Sequence, residues 1–294
     1  MAVELVVPQR RRDLGGFEVG RLLPFTQRRM VGPFIFLDHM GPAQFAAGLP
    51  RSADVRPHPH IGLSTVTYLF DGEIMHRDSV GSAEAIRPGE VNWMTAGRGI
   101  THSERFEKAR AQGDVLHGVQ AWVALPKEHE ETEPAFFHHG AEDLPTYEGG
   151  GLWARLIVGE AFGAKAKVRT HSPIFYVHWE LQTGAKAELK AEYSERAAFI
   201  VAGEVEIGGR AYGAGQLLVF AAGAPVVFTA LQAATVMLLG GEPVGERFIE
   251  WNFVSSSKGR IEAAKADWRA GRMKLPDLDD QEFIPLPPDP PAGG

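Results

Sequence analysis

Two short stretches decide the reading of this chain: Arg56-Pro57-His58-Pro59-His60 and, later, Thr101-His102-Ser103-Glu104. On an extended strand side chains alternate, so residues two apart share a face. His58 and His60 then point one way, and so do His102 and Glu104. Two such strands side by side bring three imidazoles and one carboxylate together, which is the donor set of a metal site. Proline keeps the residue before it out of the helical region, so Arg56 and His58 are both held extended. Because proline lacks an N–H, it also belongs at a strand start, edge or bulge.

The lead-in runs into Ile61-Gly62-Leu63-Ser64-Thr65-Val66-Thr67-Tyr68-Leu69-Phe70. Read as one strand, this places Gly62, Ser64, Val66 and Tyr68 on the histidine face. Gly97-Arg98-Gly99 provides a tight turn before Ile100 opens the second ligand strand. A lone His-X-His among 11 histidines is more often structural than not. A second pair, His-X-Glu, also in strand context, turns the balance to metal binding.

Composition narrows the chemistry. The chain has 294 residues, 44% of them hydrophobic, with 34 glycines and 20 prolines. That is one large or two ordinary domains, built of short elements with many turns, which favours β structure. A formal charge of −7 argues against general nucleic-acid binding. With no cysteine, disulfides, iron–sulfur clusters and thiolate zinc sites are excluded, and any metal must be held by nitrogen and oxygen. The stretch Met1-Ala2-Val3-Glu4-Leu5-Val6-Val7-Pro8 does not read as a signal peptide. Leu217 to Gly241 carries no charge but is broken by Gly223-Ala224-Pro225, so buried strands explain it better than a membrane span. The expectation is a soluble, cytoplasmic protein.

Several further elements are predicted. Val31 to Pro42 holds a strand in which His39 takes a structural hydrogen-bonding role. Asp71-Gly72 reads as a hairpin turn, with His76 and Asp78 on the returning strand as groups behind the ligands or at the surface. The neighbours His138 and His139 fall on opposite faces and cannot chelate together. Lys127 to Glu133 is a surface turn. A domain boundary is expected near Pro145 to Gly151, giving residues 1–145 and 146–294.

The second part repeats the first in outline. Val201-Ala202-Gly203-Glu204-Val205 matches Leu69-Phe70-Asp71-Gly72-Glu73-Ile74, and Ala214-Gly215-Gln216-Leu217 matches Pro88-Gly89-Glu90-Val91. Carrying the offsets across puts Ala191 where His60 stands and Phe228 where His102 stands. The chain is thus expected to be a duplicated barrel whose second copy has lost its metal. Ser255-Ser256-Ser257 opens a helix with Ile261, Ala264 and Trp268 on one side and Gly271 at its stop. From Pro276 on, an acidic, proline-rich tail is expected to be extended, draped or disordered.

Taken together, His58-Pro59-His60 and Trp93-Met94-Thr95-Ala96-Gly97-Arg98-Gly99-Ile100-Thr101-His102-Ser103-Glu104 resemble the pirin family of the cupin superfamily. Val31-Gly32-Pro33-Phe34 and Trp251-Asn252-Phe253-Val254-Ser255 are similar to family members as well. The resemblance implies an all-β protein of two stacked cupin (jelly-roll) barrels with a short C-terminal helix, and a metal in the N-terminal barrel only. Its ligands carry over onto His58, His60, His102 and Glu104. Many cupins have a glutamate shortly after His-X-His; here Ser64 and Thr65 stand there, which counts against any mechanism that needs a second carboxylate as base.

Three imidazoles and a carboxylate suit one divalent transition metal; the expectation is iron(II), with nickel, cobalt, manganese, copper and zinc as alternatives. The resemblance implies quercetin 2,3-dioxygenase activity: a flavonol binds through its 3-hydroxyl, loses that proton, and is cleaved by O₂ with release of carbon monoxide. Glu104 is then both ligand and proton acceptor, and Phe34, Phe36 and Met94 are candidate ring-holding residues at the mouth. The rival reading is a metal-dependent regulatory binder of a transcription factor or enzyme, with catalysis incidental. Metal-assisted isomerisation of a sugar or keto acid is a weaker third, since a cupin fold does not fix function.

Overall fold

The computed structural model describes residues 2–13 and 17–288. Met1 and the last six residues of the acidic tail lie outside them. Two jelly-roll halves are stacked back to back. In the first, a seven-stranded sheet faces a four-stranded sheet in the order Val55–His60, Ile100–Arg105, Ile74–Asp78, Ala83–Ile86. In the second, an eight-stranded sheet faces another four-stranded one, Lys186–Leu189, Val226–Ala230, Glu204–Ile207, Arg210–Gly213.

Each large sheet is buried on both faces, so its strands read as near-continuous apolar runs. One face fills its own half. The other meets its counterpart in a core shared by both halves, where Val66, Tyr68 and Trp93 pack with Tyr176, Phe199 and Met237. The uncharged segment after Leu217 resolves into the strands Gln216–Phe220, Val226–Ala230 and Ala234–Gly241. Among the described residues, no helix is long and apolar enough to cross a membrane.

The halves exchange their ends. Strand Val3–Pro8 pairs with Gln216–Phe220 of the second half. The helix Lys258–Arg269, capped by the Ser257 hydroxyl accepting from Arg260 N–H, returns to the first half. There Ile261, Ala264 and Trp268 pack against Ile61 and Phe253. The tail is draped rather than loose. Buried Arg105 donates two bonds of 2.7 Å to the Asp279 carboxylate, and Ile284 N–H donates to the Pro57 carbonyl at 2.8 Å.

Four local expectations need correction. His60 and Leu63 do not lie on one strand: Gly62, at φ +68°, breaks the chain between the two sheets. A Cβ there would sit 2.0 Å from the Val254 carbonyl oxygen, so only glycine fits. The break resets the alternation. Leu63 faces the interior of the first half, whereas Val66 and Tyr68 face the second. Next, Asp71-Gly72 makes a turn but no hairpin, because Leu63–Asp71 pairs with Val91–Thr95 and Asp114–Ala124 while Ile74–Asp78 pairs with Ile100–Arg105. Turn residues report a reversal of direction, not which strand is then paired. Third, Phe34 does not reach the mouth of the first half; it lies in the shared core with its ring 5.5 Å from Tyr176. Fourth, Lys127 to Glu133 is not wholly a surface turn: Glu130 is buried and ion-paired to Arg247 at 2.8 Å. One short helix, Glu107–Gln112, leaves too few residues for a periodic signal.

His39 takes the structural role expected of it, between the halves. Its Nδ1–H donates to Gln9 Oε1 at 3.3 Å, which leaves Nε2 to accept from His117 Nε2–H at 2.9 Å. Burial, and secondarily the neighbouring His117, lower its pKa to about 4. A base held neutral in the folded state binds its proton more readily when unfolded, so it costs stability as pH falls from its ordinary value toward 4. Denaturant unfolding of wild type and His39→Gln across that window should therefore show wild type losing about 3 kcal/mol relative to the variant; parallel pH profiles would contradict this.

Candidate metal centre

The strand Val55–His60 is the edge of its sheet. It pairs on one side only, so Pro57 and Pro59 cost no ladder bonds there. Its partner is Ile100–Arg105, antiparallel, with His102 opposite His58 and Ile100 opposite His60. This register brings the three imidazoles together. Ring centroids are 4.4 Å apart for His58 and His102, 5.0 Å for His58 and His60, and 5.1 Å for His60 and His102. One ligand nitrogen from each lies within 4.8 Å of the others. All three rings are buried.

The turn that delivers His102 depends on glycine. Gly97 has φ +51°, and a Cβ on it would meet the Thr132 carbonyl oxygen at 2.0 Å.

Hydrogen bonds fix which nitrogen faces inward. His58 Nδ1–H donates to the Arg56 carbonyl at 2.9 Å, and His60 Nδ1–H donates to the Asn252 carbonyl at 3.0 Å. Both Nε2 lone pairs are then available. His102 is oriented by a relay of His76 and Asp78, which lie behind the ligands, the first of the two places expected for them. Asp78 Oδ2 accepts from His76 Nε2–H at 2.9 Å, so His76 Nδ1 carries a lone pair, 3.4 Å from His102 Nδ1. His102 Nε2 is buried and has no hydrogen-bond partner among the described residues. A buried polar atom without a partner is costly; a metal ion would satisfy it. Desolvation keeps the trio neutral, lowering His58 to about 4 and His60 and His102 well below the usual imidazole value. Neutral imidazoles converging through Nε2 fit a divalent transition metal, and the further hydrogen bonds on Nδ1 are what such ligands require.

Glu104 lies on the same strand beyond a register shift, opposite Val55 and His76. It is half-buried and outside the 4.8 Å group formed by the histidines. Desolvation pushes its carboxyl up to about 7. The walls around the trio are aromatic. Trp122 meets His60 edge-on at 5.0 Å and stacks on Phe36 at 4.1 Å, while Phe136 stacks on His76 at 4.3 Å. Phe36 and Met94 are buried in the same hydrophobic cluster as Trp122. The Arg21 guanidinium, paired with Asp38, covers the outer face of Phe36 at 4.4 Å. The pair His138 and His139 takes no part: His138 bonds Asn92 at 2.8 Å on another strand.

Removing the relay should weaken the site without unfolding it. In His76→Phe the ring stack on Phe136 can persist, but His102 Nδ1–H loses its acceptor. Metal affinity, measured by competition with a chromogenic chelator, should fall by about 10- to 100-fold, with circular dichroism unchanged. Unaltered affinity would show that the relay does not orient His102.

Comparison with known proteins agrees with this geometry. The Pirin family profile matches residues 16–123, and that of the Pirin C-terminal cupin domain matches residues 176–274. A pirin-like protein of Caulobacter vibrioides is 70% identical over 97% of this chain and 99% of its own length. Pirin-1 of Arabidopsis thaliana is 30% identical over 92% of this chain and 93% of its own. Among solved structures, a quercetin 2,3-dioxygenase from Acinetobacter baumannii superposes with a TM-score of 0.86 at 33% identity, covering 97% of this chain and 96% of that one. With both profiles matched and such identity along nearly its whole length, this chain belongs to the pirin family.

Proposed function

We propose that the protein is a metal-dependent dioxygenase of pirin type that opens a flavonol such as quercetin with O₂. In this reading His58, His60, His102 and Glu104 are the ligands of one divalent transition metal, iron(II) first among them. The observation that carries the proposal is the unpartnered, buried Nε2 of His102 beside two other free imidazole nitrogens. The likeness to a solved quercetin 2,3-dioxygenase supports the choice of substrate class.

Bound there, the metal would supply Lewis acidity toward the flavonol 3-oxygen and redox chemistry for O₂. The remaining work falls to the chain. Neutral histidines leave the site without a competing positive charge of their own. Glu104, the carboxylate on the ligand strand, would take the proton of the 3-hydroxyl. Phe36, Met94, Trp122 and Phe136 form a wall for flat rings and exclude water.

The test is turnover of quercetin, followed as loss of the flavonol absorbance band, by protein loaded in turn with iron(II), nickel, cobalt, manganese and copper. We expect turnover with at least one metal. Glu104→Gln, which keeps the shape but not the basicity, should lower it by a factor on the order of 10² or more. No turnover by fully loaded protein with any of the five would overturn the dioxygenase reading in favour of a metal-dependent binder. Separately, His58→Ala and His102→Ala should each lose bound metal by elemental analysis while remaining folded. Full stoichiometry in both would refute the ligand set.

A further inference from the structure

The second half keeps the register of the metal centre with other residues in it. Phe228 stands opposite Ala187 as His102 stands opposite His58, and Val226 stands opposite Leu189 as Ile100 stands opposite His60. The position equivalent to His60 is thus Leu189 and not Ala191, which lies past the strand end. All of these side chains belong to one apolar interior. Yet that interior is not filled. A cavity of about 240 Å³ opens in it, walled by Ala154, Leu156, Val177 and Trp179.

Two features distinguish this cavity from a packing defect. The indole N–H of Trp179, a residue only 1% exposed, has no acceptor among the described residues. At the rim stand two large hydrophobic side chains in contact with solvent, Tyr147 at 61% and Phe162 at 38%. Phe162 is presented there by the two-residue turn Phe162-Gly163, both at positive φ, that joins Leu152–Ala161 to Ala164–Lys165. Its ring lies 5.8 Å from that of Trp179.

We infer that this cavity is a second ligand site, separate from the metal centre, for a small, flat, neutral aromatic molecule bearing a hydrogen-bond acceptor. Size sets the first property. An apolar cavity of about 150 Å³ admits benzene, and sites for drug-sized ligands begin at about 300 Å³; one ring or two fused rings lie between. The orphaned Trp179 N–H requires an acceptor. Water is a poor occupant, since it needs several polar partners and the walls are mostly apolar. Charge is disfavoured: apolar walls penalise any ion, and the Glu188 carboxylate at the rim repels an anion.

Coumarin, a neutral fused-ring lactone, is the probe, and isothermal calorimetry of the full-length metal-loaded chain is the measurement. We expect saturable binding of one coumarin per chain, retained in the metal-free His58→Ala variant. Trp179→Phe, which keeps a ring and removes the N–H, should weaken coumarin about fivefold. The same variant should leave indene, which has the shape but no acceptor, within about twofold. Ala154→Phe should abolish binding of both, with the thermal midpoint as the check on folding. The inference is overturned by absence of saturable coumarin binding, by loss of binding in His58→Ala, or by equal effects of Trp179→Phe on coumarin and indene. Should Ala154→Phe fail to fold, the Trp179→Phe comparison decides alone.

Discussion

Three imidazoles held out of water, with their lone pairs turned toward one point, are the constraint on which the rest of this structure depends. Desolvation keeps them unprotonated, and neutrality is the condition for ligation. Burial alone would not aim them. The aim comes from three acceptors outside the trio: the carbonyls of Arg56 and Asn252 and the ring of His76. Asn252 is the most remote of these along the chain. The segment that carries it is anchored by Glu130, which accepts from Ser255 Oγ at 2.9 Å and Ser256 N–H at 2.8 Å. Val254 N–H also reaches the Ile61 carbonyl at 3.2 Å. The return of the C-terminal segment to the first half is therefore part of how His60 is oriented, not merely a means of covering the sheet.

The strands and the trio were legible because their signals are local. Period-2 alternation, two prolines and a pair of glycines dictate extended, same-face histidines over a few residues. What escaped was non-local or carried by backbone. A carbonyl such as that of Asn252 has no signature, since every residue has one; only the stretch Trp251-Asn252-Phe253-Val254-Ser255 hinted that the place mattered. The His76–Asp78 relay was in view, but reading Asp71-Gly72 as a hairpin left that pair without a partner strand. In a jelly roll consecutive strands change sheets, and the true neighbour of Ile74–Asp78 is Ile100–Arg105. The same change of sheet at Gly62 reversed the faces assigned to Val66 and Tyr68. The repeat offsets lead to Phe228 but miss the equivalent of His60 by two residues, because the connection from that strand to the next is longer in the second half.

Set side by side, the two halves separate what the scaffold needs from what chemistry needs. Both hold their small sheet in the same register against a large sheet, and the shared core behind is apolar throughout. At the ligand positions the second half carries Ala187, Leu189 and Phe228. Each apolar side chain there contributes burial, about 1.5 to 3 kcal/mol for a Leu or Phe. The first half instead buries three imidazoles, one with an unsatisfied nitrogen, and desolvates a carboxyl. Such groups destabilise the fold until something binds them. A structure that tolerates this in one half, while the other shows the stable alternative on the same frame, locates its function by the difference. Fold similarity alone could not do that; the residues that the two frames do not share can.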